Sequence, residues 1–294
     1  MKIQAWLQKN TESLRGKTVA LTGSTGGLGK ALAEHLSSLG ADLILLNRNR
    51  ARSEEQAAYL SEKYGISAEY IRLDTSDMES VREATEALLC RPIDVLIHNA
   101  GAYDIPRMTT DAGYDNVFTI NFLSPYYMTR RLLPLLRERG GRVVVVGSIA
   151  HRYSKTDPSD VDFATRSRAS LVYGNAKRYL TYALHRLFEN EREASLSITH
   201  PGISFTGITD HYPPIIYALI KHPMKIIFMK PSRASLSILR GVFEKTDAYE
   251  WIGPRIFDIW GLPSKKRLRS ATAEEISRIA AKASELYARL DKDE

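Results

Sequence analysis

Apolar positions along this chain fall into two alternating textures. Short continuous runs at Thr18–Thr22, Leu43–Leu46, Glu69–Leu73, Val95–His98, Arg142–Val146 and Leu196–His200 predict buried strands. Runs of that kind, separated by helices, indicate a parallel sheet covered on both faces. Between them, apolar residues recur at helical spacing over about Leu28–Leu39, Ser53–Tyr64, Ser76–Leu89, Tyr114–Arg139 and Tyr173–Arg192. Ser76 and Glu79 predict a capping box on the third of these. A last helix, Ala273–Leu290, follows Thr272 and Glu275 in the same pattern. Its stripe of Ile276, Ile279, Ala283, Leu286, Tyr287 and Leu290 predicts packing on the domain or on a partner subunit. The alternation predicts an α/β fold: a doubly wound parallel sheet in three α/β/α layers. One domain spans 1–294, with an N-terminal extension (1–15) and a C-terminal helical extension (260–294).

Two stretches carry candidate chemistry. Thr18–Thr22 runs into Gly23, Ser24, Thr25, Gly26, Gly27, Leu28 and Gly29, and a helical pattern leaves the turn. Strand, glycine turn and helix form the context of a Rossmann dinucleotide fingerprint, with backbone close to a pyrophosphate at a helix N-terminus. The spacing Thr-Gly-x-x-x-Gly-x-Gly departs from the commoner Gly-x-Gly-x-x-Gly. Farther on, Tyr173 and Lys177 stand one helical turn apart and so share a face. A lysine charge there favours the phenolate of a tyrosine whose ordinary pKa is ~10, and such a pair can exchange a proton with a substrate oxygen. Alone the pair is weak, since two solvated groups on a helix would look the same. Ser148 after an apolar strand and Asn121 before an aromatic-rich helix strengthen it.

These residues occur in the order found in a family. The chain resembles a classical short-chain dehydrogenase/reductase over roughly Gly16 to Ser235. The resemblance rests on Thr22-Gly23 to Gly29, Asp74, Asn99-Ala100-Gly101, Asn121, Ser148, Tyr173 with Lys177, and Pro201-Gly202. Asn47-Arg48, the run from Gly147 to His151, and His200-Pro201-Gly202 are similar to the retinol-dehydrogenase-like branch. Gly147 departs from the serine that many relatives carry there.

The resemblance implies hydride transfer between a nicotinamide and a carbonyl carbon, with Tyr173 as general acid or base. Lys177 would bind the nicotinamide ribose and depress the tyrosine pKa, Ser148 would hold the substrate oxygen, and Asn121 would support a proton-relay water. Asp74 with Thr75 would border the adenine, with helix capping as the competing role of Asp74. Asn99, Ala100 and Gly101 would line the cofactor's path, and Pro201, Gly202 and Thr206 its carboxamide end. Cofactor choice turns on the end of the second strand, where Leu46-Asn47-Arg48-Asn49-Arg50 offers no carboxylate. A guanidinium pairs strongly with phosphate, so Arg48, helped by Asn47, predicts NADP(H) over NAD(H). A lid is expected over 203–232. Its apolar stretch with interspersed lysines at 212–230 has two readings: a cover over a lipophilic substrate, or contact with an anionic membrane surface.

Composition narrows the class. Charged residues make up 26% and apolar residues 44% of 294, ordinary for a globular protein. The lone Cys90 excludes an intrachain disulfide and, with no apparent secretory leader, predicts a reducing, cytoplasmic setting. Cys90 is expected to be a buried or neutral structural thiol. The net charge of +7 invites a nucleic-acid partner, yet the basic residues are scattered without a nucleic-acid module. The densest cluster, Lys265-Lys266-Arg267-Leu268-Arg269, reads as a solvated connector. No histidine spacing predicts a metal site, and His98 and His200 read as structural. Homodimers or tetramers are common among similar proteins. The expected protein is an NADP(H)-dependent oxidoreductase acting on a small lipophilic alcohol or carbonyl. The alternative is a non-catalytic NADP(H) sensor, for which the full set Asn121, Ser148, Tyr173 and Lys177 has no physical use. A nucleotide-sugar epimerase fits neither the Gly23–Gly27 spacing nor the short C-terminal region.

Overall fold

Side-chain alternation along the apolar runs divides them between two cores. Leu43 and Leu45 face one layer of helices while Ile44 and Leu46 face the other, as the period of two along a strand requires. A computed structural model describes residues 2–202, 229–247, 249–268 and 271–292. Its strands are β1 (Thr18–Thr22), β2 (Asp42–Asn47), β3 (Ala68–Arg72), β4 (Val95–His98), β5 (Arg142–Val146), β6 (Ser195–Thr199), β7 (Glu250–Ile256) and β8 (Trp260–Arg267). They form one sheet in the order β3-β2-β1-β4-β5-β6-β7-β8, parallel except for β8, which runs antiparallel to β7. The order reverses between β1 and β4, and the crevice at the carboxyl ends of strands at such a switch point is where doubly wound sheets bind ligands.

One face carries α1 (Ile3–Asn10), α2 (Gly27–Ser38) and α3 (Arg50–Tyr64). The short α8 (Pro231–Ala234) and then α9 (Leu236–Phe243) follow the undescribed stretch, and α9 packs in the same layer. The other face carries α4 (Met78–Leu89), the short α5 (Asn116–Phe118), α6 (Ser124–Glu138), α7 (Ala169–Leu187) and α10 (Ala273–Lys292). The last of these buries Ile276, Ile279, Ala283, Leu286 and Leu290, so the predicted stripe packs on the domain itself. No described helix is long and apolar enough to cross a membrane.

Several expectations change. The N-terminal extension is a helix whose Trp6 is buried, and Leu14 behind it is buried too. β3 is an edge strand with largely half-buried residues rather than a buried one. Asp77, not Ser76, caps α4, accepting from the amides of Glu79 and Ser80. Cys90 ends α4 exposed, not buried. Lys265, Lys266 and Arg267 belong to β8 rather than to a connector, and the Lys266 ammonium is held by the Pro254 carbonyl and Asp258. The single helix expected over Tyr114–Arg139 is interrupted by a π-turn at Thr119–Leu123. The expected lid, 203–232, lies outside the described residues except for its last four.

Candidate active site

The glycine turn after β1 is shaped by close backbone approach. Gly23 has φ +70°, a region that disfavours a side chain. A Cβ on Gly29 would sit 2.0 Å from the Gly23 carbonyl oxygen, so no larger residue fits where α2 leaves the turn. Thr22 Oγ1 accepts from the amides of Asn99 and Ala100, and Asn99 Nδ2 donates to the carbonyls of Thr22 and Gly23, each at about 3.0 Å. These bonds tie the ends of β1 and β4 together across the crevice. Thr25, Gly27 and Leu28 remain accessible at the start of α2, whose N-terminus has no side-chain cap.

Ser24 is enclosed within the turn. It is fully buried, donating to Gln56 Oε1 and accepting from Asn47 Nδ2, both at 2.8 Å, while Gln56 Nε2 donates to its carbonyl. Its hydroxyl therefore stiffens the turn. Asn47 is likewise buried, its Nδ2 donating to Ser24 Oγ. Arg48 is exposed and makes no ion pair among the described residues. Asp74 accepts from Ser76 in a local turn rather than capping a helix, and the Thr75 carbonyl accepts from Ser124 Oγ. Pro201 and Gly202 follow β6, both buried; Thr206 lies outside the described residues.

Beyond β5, Ser148 starts a 3₁₀ turn, Ile149–Arg152. Its Oγ accepts from the Ala150 amide and its carbonyl accepts from His151 Nδ1 at 2.6 Å, which fixes the proton on that ring nitrogen. His151 is wholly buried, edge-on to Trp251, whose other neighbour His200 stacks on it at 5.1 Å. Facing this turn is α7. A Cβ on Gly174 would lie 2.5 Å from the Ala150 carbonyl oxygen, so the glycine lets Tyr173 approach Ser148. Tyr173 is half-buried, with Tyr103 edge-on at 5.3 Å.

The electrostatics differ from the expectation. Burial pushes the Tyr173 phenol up to about 12, a hydrogen bond with Ser148 pulls it down in part, and Tyr103 raises it. Lys177 does not depress it. Its Nζ donates to the Val146 carbonyl at 2.8 Å, and loss of solvent drops its pKa to about 7. Asn121 occupies the π-turn, with Nδ2 donating to Ala102 and Val117 carbonyls and Oδ1 buried without a hydrogen bond among the described residues. Both Asn121 Oδ1 and Lys177 Nζ face Gly101, where a Cβ would lie 2.8 and 3.6 Å from them. The fold thus gathers all four predicted catalytic residues by Gly101, in the loop after β4.

Four participants were missed in the sequence: Gln56, Tyr103, His151 and Trp251. Gln56 and Trp251 act through long-range packing with no local signature. Tyr103, two residues past Gly101, offered only its proximity to a flagged motif, and His151 closed the flagged run from Gly147 without a role assigned to it.

The profile of the short chain dehydrogenase family matches residues 17–157. Retinol dehydrogenase 14 of Mus musculus is 33% identical over 215 residues, covering 67% of this chain and 64% of the relative. An uncharacterized oxidoreductase of Schizosaccharomyces pombe is 30% identical over 254 residues, covering 80% and 74%. Among solved structures, an uncharacterized protein from Mycobacterium Paratuberculosis superposes with TM-score 0.73 at 25% identity, over 96% of this chain and 95% of that one. The chain spans less than two thirds of the length of the mouse retinol dehydrogenase. Glycine turn, Ser148, Tyr173 and Lys177 in one crevice, together with these likenesses, place the chain in the short-chain dehydrogenase/reductase family, similar to its retinol-dehydrogenase-like branch.

Proposed function

We propose that this protein interconverts a lipophilic alcohol and its carbonyl with NADP(H). The observation that carries the reading is the meeting of the Tyr173 and Ser148 hydroxyls beside Lys177 and Asn121, at the crevice where the sheet order reverses. Residues on both sides of the crevice fit a dinucleotide. The turn at Gly23–Gly29 admits no side chain between its strands of backbone, and the uncapped start of α2 supplies amides for phosphate. Arg48, an exposed guanidinium just past the end of β2, could pair with a 2′-phosphate, which favours NADP(H) over NAD(H). When bound, the nicotinamide supplies or accepts the hydride.

The protein's own work is proton handling and positioning. Tyr173, protonated throughout the neutral range, donates to a substrate oxygen as negative charge develops there. Ser148 holds that oxygen by a hydrogen bond. Lys177, its Nζ beside Gly101 and bonded to the Val146 carbonyl, would hold the nicotinamide ribose. Asn121 Oδ1 is free to hold a water between Lys177 and solvent. Because the mouse relative is named for retinol, a greasy alcohol, lipophilic carbonyls are the substrates to try first.

The test is NADPH consumption across a panel of lipophilic aldehydes and ketones, repeated with NADH. Turnover with NADPH and little with NADH is expected. Tight NADPH binding with no turnover on any member would favour the sensor.

A further inference from the structure

The turn joining β7 to β8 presents exposed apolar side chains. Ile256 is 49% exposed, Phe257 82% and Trp260 36%. They are three of the seven large hydrophobic residues exposed among the described residues, gathered within five positions, so the turn is an apolar patch rather than scattered exposure. A fourth, Tyr153, is on the adjoining loop, whose Arg152 reaches Asp258 in the turn at 3.2 Å. The backbone is strained where it displays them: φ is +50° at Phe257 and +60° at Asp258. Bulky residues rarely adopt this region, and they hold it only when the surroundings enforce it.

Here the enforcement is electrostatic. Asp258 is buried under the turn and accepts from Arg152 and, at 2.8 Å, from Lys266, whose Nζ also donates to the Pro254 carbonyl. The turn is thereby rigid and its acid neutralised. The outward charges nearby are positive. Arg255 is exposed immediately before Ile256, and Lys155 is exposed on the adjoining loop. Lys230 is exposed next to Met229, which meets Pro254 and Ile259 around Gly202.

We propose that this turn is a membrane-docking tip. Ile256 and Phe257 enter the boundary between headgroups and acyl chains of an anionic bilayer, Trp260 sits at headgroup level, and Arg255, Lys155 and Lys230 meet anionic headgroups. Aromatic residues favour that depth, and basic residues beside them add electrostatic attraction. The net charge of +7 supports the same partner. A second copy of the chain is the poorer occupant. At about 150–250 Å² for a whole aromatic side chain, the exposed fractions of Ile256, Phe257, Trp260 and Tyr153 together fall short of the ~800 Å² per partner of a stable interface, whereas membrane insertion needs only a few such groups. Gly202 adjoins the turn, so docking brings the crevice side of the sheet toward the bilayer.

Trp6 and Trp251 are buried, which leaves Trp260 as the exposed tryptophan of three and a built-in reporter. The full chain is mixed with vesicles of phosphatidylcholine and phosphatidylserine in which the phosphatidylcholine is brominated. Expected are quenching of tryptophan emission and cosedimentation, both weakened by salt and by omitting phosphatidylserine. Phe257→Ser should weaken cosedimentation about tenfold or more, with Arg255→Glu weakening it as well. Trp260→Phe should abolish the quenching yet still sediment. Because these side chains are exposed, an unchanged thermal midpoint separates loss of docking from misfolding. Absence of vesicle binding, or binding that Phe257→Ser leaves intact, would overturn the proposal. So would a Phe257→Ser effect seen only in the oligomeric state, which would make the turn a self-association site.

Discussion

Arg48 and Asn47 are neighbours in sequence with opposite surroundings. Arg48 was legible because an exposed cation at the end of β2 needs only its position in the chain to be read. Asn47 was not, because its amide is claimed by Ser24, 23 residues away, and Ser24 is in turn bonded to Gln56. If Arg48 binds a 2′-phosphate, Arg48→Ala should weaken NADPH binding roughly 10- to 100-fold, the loss expected for a hydrogen bond to a charged group of ~1.5–3 kcal/mol. NADH binding should be nearly unchanged in the same fluorescence titration, and an equal loss for both cofactors would contradict the assignment. Tyr173 gives the opposite lesson. Its identity was plain from the Tyr-x-x-x-Lys spacing, but its pKa depends on burial and on where Lys177 points, which spacing does not specify. Burial keeps the phenol protonated, the state carbonyl reduction requires, while the lysine points at Val146.

Among the elements, α7 is held from two sides. Gly174 lets it close on the Ser148 turn, and Arg178, next to Lys177, clamps it to the C-terminal helix. Arg178 donates to Glu275 at 2.6 and 2.5 Å and to the His151 carbonyl at 2.8 Å, with both side chains nearly buried. Burial of the pair means that removing one partner strands the other, at a cost of about 3–5 kcal/mol. Glu275→Ala should therefore lower the thermal midpoint by on the order of 5–10 °C, and an unchanged melting curve would show that the clamp contributes nothing. Thr272 and Glu275 were recognisable as a helix start, and Thr272 Oγ1 does accept from the Glu275 amide. The reach of the Glu275 carboxylate to α7 was not, since it joins residues 97 apart. The π-turn at Asn121 was hidden for a related reason. Its apolar spacing continues through Thr119–Leu123 as in an ordinary helix, while the wide turn shows only in the backbone, where the Ser124 amide reaches the Thr119 carbonyl five residues back.

For the whole molecule, β1, β2, β4, β5 and β6 were readable because continuous apolar runs between helices have few alternatives. β7 and β8 were not, because Gly253, Pro254 and Pro263 look like breakers and the lysines of β8 look solvated; an antiparallel sheet edge accommodates both. The interior also sets a pH dependence. His98 is pushed down to about 3, and His151, His185 and His200 to about 4, chiefly by loss of solvent. An unfolded chain takes up these protons near the ordinary value of 6.5, while the folded one refuses them until far lower pH. The unfolded state therefore binds more protons, and stability present above about pH 6.5 is lost progressively toward about pH 4. Thermal melts across that window should fall steadily, and a flat profile would mean the histidines are not buried as described.

The central claim is that the Tyr173 phenol delivers the proton in a crevice built for NADP(H). Single-turnover consumption of bound NADPH, with any carbonyl that the wild-type protein reduces, tests it most directly. Tyr173→Phe should bind NADPH as tightly as wild type and consume it ~10²–10⁴-fold more slowly. Consumption at the wild-type rate by that variant would contradict the account.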